Sequence, residues 1–131
     1  MARTREVERR KFARCSAGLM VRYRFLSLDA RQPVETESLT GYTQNISQGG
    51  LLLIGTLPDP MWARALLKER ILLALHVQLT QAEPPVKALC RVVWLEPFRG
   101  PENLTAFGLS FREITSQDRD RVLHHILSQQ M

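Results

Sequence analysis

The stretch Ser38–Ile54, SLTGYTQNISQGGLLLI, reads as strand, turn, strand. Leu39, Thr40, Tyr42, Thr43 and Ile46 are the β-branched, aromatic and aliphatic residues that suit a pleated, half-buried surface, and Leu51–Ile54 resumes that character after Gly49-Gly50. Paired glycines between apolar segments mark a tight turn, where the backbone needs either positive φ or a close approach that a Cβ would block. A hairpin ending in Ser47-Gln48-Gly49-Gly50 is therefore expected at the middle of the fold.

The flanks extend the pattern. Upstream, Leu19–Phe25 alternates, with Val21, Tyr23 and Phe25 on one side and Arg22 and Arg24 on the other, the period of two that a half-buried strand requires. Asp29–Glu37, with Pro33, is the connecting loop. Downstream, Pro58-Asp59-Pro60 breaks the chain, and Met61–Glu69, apolar at 62, 65, 66 and 67, forms a short helix or a covering loop. Ile71–Leu79 alternates through Leu73, Leu75, Val77 and Leu79, and a polar hairpin at Gln81–Pro85 leads into a strand at Val86–Leu95. After a Pro/Gly loop at Phe98–Asn103, Thr105–Phe111 places Phe107, Leu109 and Phe111 on one face. Thr115 is the N-cap of a final helix, with Asp118 three residues on and a stripe of Val122, Leu123, Ile126 and Leu127. Short strands joined by hairpins, then one amphipathic helix, predict a mainly β fold: a closed antiparallel barrel with the helix against an end or side. Pattern alone leaves OB-like, SH3-like and related barrels open.

At 131 residues and 44% hydrophobic content, the chain suits one domain with a real core. No apolar run approaches the roughly 20 residues of a membrane span, and no signal-peptide core follows the charged N-terminus, so a cytoplasmic protein without membrane insertion is expected. Cys15 and Cys90 lie far apart without metal-ligand spacing and are expected to be reduced and packed. His124 and His125 do not form the i, i+4 pair of a helical metal site, and no nucleophile, base and orienting carboxylate converge, so neither a metal nor an enzyme is expected. Of the net charge of +5, residues 1–14 hold +4, through Arg3, Arg5, Arg9, Arg10, Lys11 and Arg14 against Glu6 and Glu8. Nucleic-acid binding favours a basic footprint spread over a folded face, together with aromatic platforms. A basic arm on a near-neutral body with 7% aromatic residues argues against that partner and for a small anion.

Two motifs sharpen the reading. Arg10-Lys11-Phe12-Ala13-Arg14 is an RxxxR preceded by Arg9, and Asn45-Ile46-Ser47-Gln48-Gly49-Gly50 is a [D/N]xSxxG between two strands. In this order, about 30 residues apart with a strand between them and a helix at the end, they resemble the PilZ family from about Glu8 to Leu127. The resemblance implies a six-stranded antiparallel β-barrel with a C-terminal helix at about 115–129, preceded by an arm at 1–14, the barrel unit covering 15–131. It also implies a non-catalytic receptor for cyclic di-GMP that signals in trans to an unidentified effector protein in motility, biofilm or exopolysaccharide control. The ligand-binding residues it implies are Arg9, Arg10, Arg14, Asn45, Ser47, Gly49, Gly50 and Trp94.

These residue types fit that ligand. A guanidinium can bond phosphate oxygens or guanine O6 and N7 with two parallel donors and can stack on a base. The Asn45 amide oxygen accepts from guanine without the charge of the Asp common in the family, and Ser47 supplies a hydroxyl. Gly49 and Gly50 leave room for close approach and free backbone N–H groups for an anion. Trp94 is a candidate stacking wall or a core filler. Arg9 has a role only where a second, stacked ligand is bound. The alternative is a PilZ-like protein-interaction module without nucleotide binding, which the Asn45 substitution and the 58–69 segment keep open.

Overall fold

The computed structural model of the protein describes residues 18–28, 37–98, 100 and 103–130. The arm at 1–14, with Arg9, Arg10 and Arg14, and also Cys15 and nearly all of the Asp29–Glu37 loop, lie outside these residues.

Alternation in the sequence becomes six strands: β1 Met20–Ser27, β2 Leu39–Ser47, β3 Gly50–Gly55, β4 Ile71–Val77, β5 Val86–Phe98 and β6 Leu104–Ile114. They pair antiparallel in the order β1-β2-β3-β6-β5-β4 and close into a barrel. Closure leaves no unpaired sheet edge and lets the inward side chains of every strand meet. Val21, Tyr23 and Phe25 from β1 join Ile46, Leu53, Leu73, Leu75, Val92 and Phe107 in one core, each 2% exposed or less. Tyr23 and Phe25 meet edge to face at 5.8 Å, and Phe25 lies 6.2 Å from Phe107. The Tyr23 hydroxyl donates to the Thr56 carbonyl at 2.8 Å, which lets a phenol sit in this core.

Both ends are capped. The 58–69 segment resolves into a 3-10 turn at Pro60–Trp62 running into a five-residue helix, α1, at Ala63–Leu67. Leu66 is fully buried, and the Trp62 ring packs 5.3 Å from Phe25. The helix stops in a Schellman arrangement: Arg70 N–H donates to the Ala65 carbonyl and Glu69 N–H to the Leu66 carbonyl. Glu69 takes the left-handed conformation there, with φ of 59°, where glycine is the usual choice.

At the other end α2, Ser116–Gln130, is capped as expected, its Asp118 N–H donating to Thr115 Oγ1 at 3.0 Å. Val122 and Ile126 enter the core, whereas Leu127 is 47% exposed. The buried stripe is thus narrower than the sequence pattern suggests, because the barrel end offers room for one turn-spaced pair of side chains. Cys90 is fully buried on β5, and burial in apolar surroundings pushes its thiol up to about 12 from 9.0. It is a packed, unreactive thiol. Among the described residues no helix is long and apolar enough to cross a membrane, and no cluster of potential metal ligands occurs.

Candidate functional site on the outer wall

Strand register places the second motif on the outside of the barrel. Asn45 on β2 stands opposite Leu52 on β3, Leu52 opposite Gly108 on β6, and Gly108 opposite Trp94 on β5. One strand step toward α2 lies a parallel row, Ser47, Gly50, Ser110 and Arg91. Between the two rows Ile46, Leu51, Leu109 and Val92 point into the core. The outer face encloses a groove of about 330 Å³ lined by Asn45, Ser47, Gly49, Gly50, Leu52, Val93, Trp94 and Gly108 with neighbouring backbone. All five expected site residues within the described chain, Asn45, Ser47, Gly49, Gly50 and Trp94, meet there. A larger hollow of about 450 Å³ lies around His76, Lys87, Leu89 and Glu113 and contains none of them.

Two bulges shape the groove. The β2–β3 register slips between Thr43 and Asn45, and the β5–β6 register slips between Val92 and Trp94. The extra residues are Gln44 and Val93, so Asn45 and Trp94, at the two ends of the same row, each directly follow a bulge. A bulge bends its strand and re-aims the next side chain, here over a shared floor. Trp94 is 42% exposed and Val93 50%, so the indole is a wall of the groove and not a core filler.

The floor is made of glycine. A Cβ on Gly108 would run into Trp94 Nε1, Cε2 and Cδ1, so the indole lies directly on bare backbone. A Cβ on Gly50 would run into the Leu109 carbonyl, so β3 and β6 approach there only with glycine. No described glycine has positive φ, so Gly50 is required by close approach, whereas a Cβ on Gly49 would meet nothing within 4 Å.

The turn is held from several sides. Ser47 Oγ donates to the Gly50 carbonyl at 3.3 Å, and Phe111 N–H to the Gly49 carbonyl at 2.9 Å. Arg119 on α2 donates to the Gln48 carbonyl at 3.2 Å, tying the motif to the C-terminal helix. Ser47 thus spends its proton within the turn and presents oxygen lone pairs outward. The Asn45 amide has no hydrogen-bond partner among the described residues.

Leu19 connects this wall to the chain's start. Its N–H donates to Thr43 Oγ1 at 3.2 Å and its carbonyl accepts from Thr43 N–H at 2.9 Å. The segment before residue 18 therefore joins the barrel two positions from Asn45.

Sequence reading missed Leu52, Val93, Gly108 and the Arg119 tether. Gly108 carried a signal, an isolated glycine inside an alternating strand, which marks a bulge or close backbone contact. The unbroken Val92-Val93-Trp94-Leu95 run signalled the bulge, since alternation fails there. Arg119 had none, because its contact spans 71 positions.

A small closed barrel with a C-terminal helix and a polar turn motif over an exterior groove defines a class of β-barrel modules. The PilZ domain model matches residues 8–128, and the chain belongs to the PilZ family. Solved structures agree on the fold. The inhibitor of motility MotI/DgrA of Bacillus subtilis is similar with a TM-score of 0.65 at 19% identity, covering 93% of this chain and 51% of that one. This protein thus spans about half the length of that chain. The PilZ domain of YcgR from Escherichia coli, solved with c-di-GMP, has a TM-score of 0.61 at 13% identity, covering 93% of this chain and 92% of that one. The PilZ domain of CeSA from a cellulose-synthesizing bacterium has a TM-score of 0.54 at 14% identity, covering 90% and 98%. A comparison with curated proteins found no match.

Proposed function

We propose that the protein is a cyclic di-GMP receptor that binds its ligand on the outer wall of β2, β3, β6 and β5 and acts in trans on an effector protein, without catalysis. The observation that carries this is the convergence of Asn45, Ser47, Gly49, Gly50 and Trp94 on one groove in a PilZ-family chain. The YcgR structure, a PilZ domain with c-di-GMP, supports the choice of ligand, and the motility inhibitor MotI supports an effect on a partner.

In this reading the Asn45 amide and the outward Ser47 lone pairs take a guanine edge at one end of the groove. The groove between Ser47 and Trp94 takes the sugar-phosphate ring, and Trp94, seated on Gly108, stacks at the other end. Arg14 precedes Gly18 by four residues and so lies within about 14 Å of it along the chain, close enough for Arg10 and Arg14 to close over a bound dinucleotide. Arg9 serves a second stacked ligand. Micromolar binding needs about −8 kcal/mol, and charge-assisted hydrogen bonds of about 1.5–3 kcal/mol with stacking of about 1–3 kcal/mol per base reach it after ordering costs. A cytoplasmic location follows from the ligand.

Isothermal titration with cyclic di-GMP tests the reading. The wild type should bind with low-micromolar or tighter affinity, and Arg10→Ala or Arg14→Ala should abolish detectable binding while leaving the ligand-free Tm within about 1 °C, since a surface arm adds little to stability. No heat at tens of micromolar ligand in low salt would refute it in favour of a nucleotide-independent interaction module. Ser47's internal hydrogen bond is the observation that favours that second reading.

A further inference from the structure

Arg91 occupies a position on the outer wall that neither motif includes. It pairs with Ser110, which pairs with Gly50, which pairs with Ser47, so the four residues form one row across β5, β6, β3 and β2. Its neighbours Cys90 and Val92 are 0% and 2% exposed, so Arg91, alternating with them, faces outward on the same wall as the groove, just outside the groove's lining. Trp94, re-aimed by the Val93 bulge, stands beside it on the same strand and face.

The residue is half-buried and, among the described residues, unpartnered. Among the described residues the ion pairs both belong to Arg121, with Glu83 and Asp118, and Arg91 makes no hydrogen bond or ion pair. A guanidinium presents five donors in a rigid fork, and this one is carried on a barrel strand whose backbone is already fixed. The rest of its row carries no positive side chain. Across three strand spacings, about 14 Å, the outer face thus runs from a polar turn at Ser47, over bare backbone at Gly50 and small Ser110, to one cation at the rim.

We infer that Arg91 is a ligand-binding residue, its guanidinium fork gripping a bidentate acceptor at the end of the ligand away from Asn45, beside the base stacked on Trp94. This rests on the cyclic di-GMP reading above. Two acceptors of that ligand have the required chemistry, a phosphate and the O6/N7 edge of guanine.

Titrations of wild type, Arg91→Ala, Arg91→Lys and, as a control on the opposite wall, Arg24→Ala against cyclic di-GMP and cyclic di-AMP separate the possibilities. Arg91→Ala should weaken cyclic di-GMP binding roughly 10- to 150-fold with the Tm held, the span that one charge-assisted contact carries. Arg91→Lys, which keeps the charge but loses the fork, should fall between, and Arg24→Ala should match wild type. A narrowed preference for cyclic di-GMP over cyclic di-AMP in Arg91→Ala assigns the fork to guanine. A proportional loss for both ligands assigns it to phosphate. Wild-type affinity in Arg91→Ala, or a loss matched by a fall in Tm that lysine does not repair, overturns the assignment while leaving the receptor reading standing. A silent wild-type titration overturns both.

Discussion

Trp94 on Gly108 is the residue contact from which the outer site takes its shape, since the indole lies on a backbone that any side chain would push away. Trp94→Ala should weaken cyclic di-GMP binding roughly 5- to 150-fold, the range of base–aromatic stacking, with little change in Tm because the ring is already 42% exposed. Gly108→Ala should give a similar loss by lifting the indole, with a change in tryptophan emission before any ligand is added. Affinity unchanged in both would remove Trp94 from the site. Inside the wall, burial of the Cys90 thiol links stability to alkaline pH. Its folded pKa of about 12 lies above the ordinary 9.0, so the fold favours the protonated thiol. That contribution is complete below pH 9 and is lost as pH rises toward 12. Burial also raises Tyr23, which acts in the same direction. Denaturant melts should show stability falling by up to about 1.4 kcal/mol per pH unit from this thiol alone, and Cys90→Ala should flatten the decline to the part left by Tyr23. An equal slope in the variant would contradict the assignment.

At the scale of elements, α2 buries Val122 and Ile126 in the core and is also tied to the barrel by polar side chains. Asp118 accepts from Lys87 N–H at 3.1 Å and from Arg121 at 3.0 Å, and Arg121 continues to Glu83 at 3.1 Å on the β4–β5 hairpin. Asp118→Ala should cost about 1–2 kcal/mol, seen as a lower urea midpoint, because the Lys87 N–H loses its acceptor and Arg121 keeps only its Glu83 and Pro84 partners. Arg119→Ala removes only an exposed bond to the Gln48 carbonyl, so its midpoint should hold while ligand affinity falls a few-fold through a looser turn. Equal midpoints for Asp118→Ala and wild type would show the helix to be held by Val122 and Ile126 alone. These elements were readable from the sequence to different depths. β1, β4 and the start of β5 were legible because one side of each faces a packed core and the other faces water, which is what alternation records. The Thr115 cap was legible for an equally local reason. The bulge at Gln44 and the Arg119 tether were not, because each depends on which element lies alongside, and the local signals at Val93 and Gly108 marked an irregularity without saying what packs there. The motif residues could be named in advance, but their union on one wall depended on a register no local pattern encodes.

Over the whole molecule, the barrel separates two faces. The site wall of β2, β3, β6 and β5 carries the motif groove, and the opposite side sets Arg22, His76 and Lys87 in adjacent positions across β1, β4 and β5. Partial burial, then Lys87, Arg22 and Arg24, lower the His76 pKa, so this side holds its like charges with the imidazole neutral. Leu19 is bonded to Thr43, two positions before Asn45, and the chain outside residues 1–14 has a net charge of only +1. On the proposed function, this wall is where cyclic di-GMP binds. Amide and indole chemical-shift mapping of the labelled full chain during titration with cyclic di-GMP tests it most directly. Saturable shifts are expected at Asn45–Leu52, Gly108, Ser110 and the Trp94 indole N–H, with Arg22, Ala74 and His76 unmoved. Shifts centred on β1 and β4, or none at saturating ligand, would contradict it.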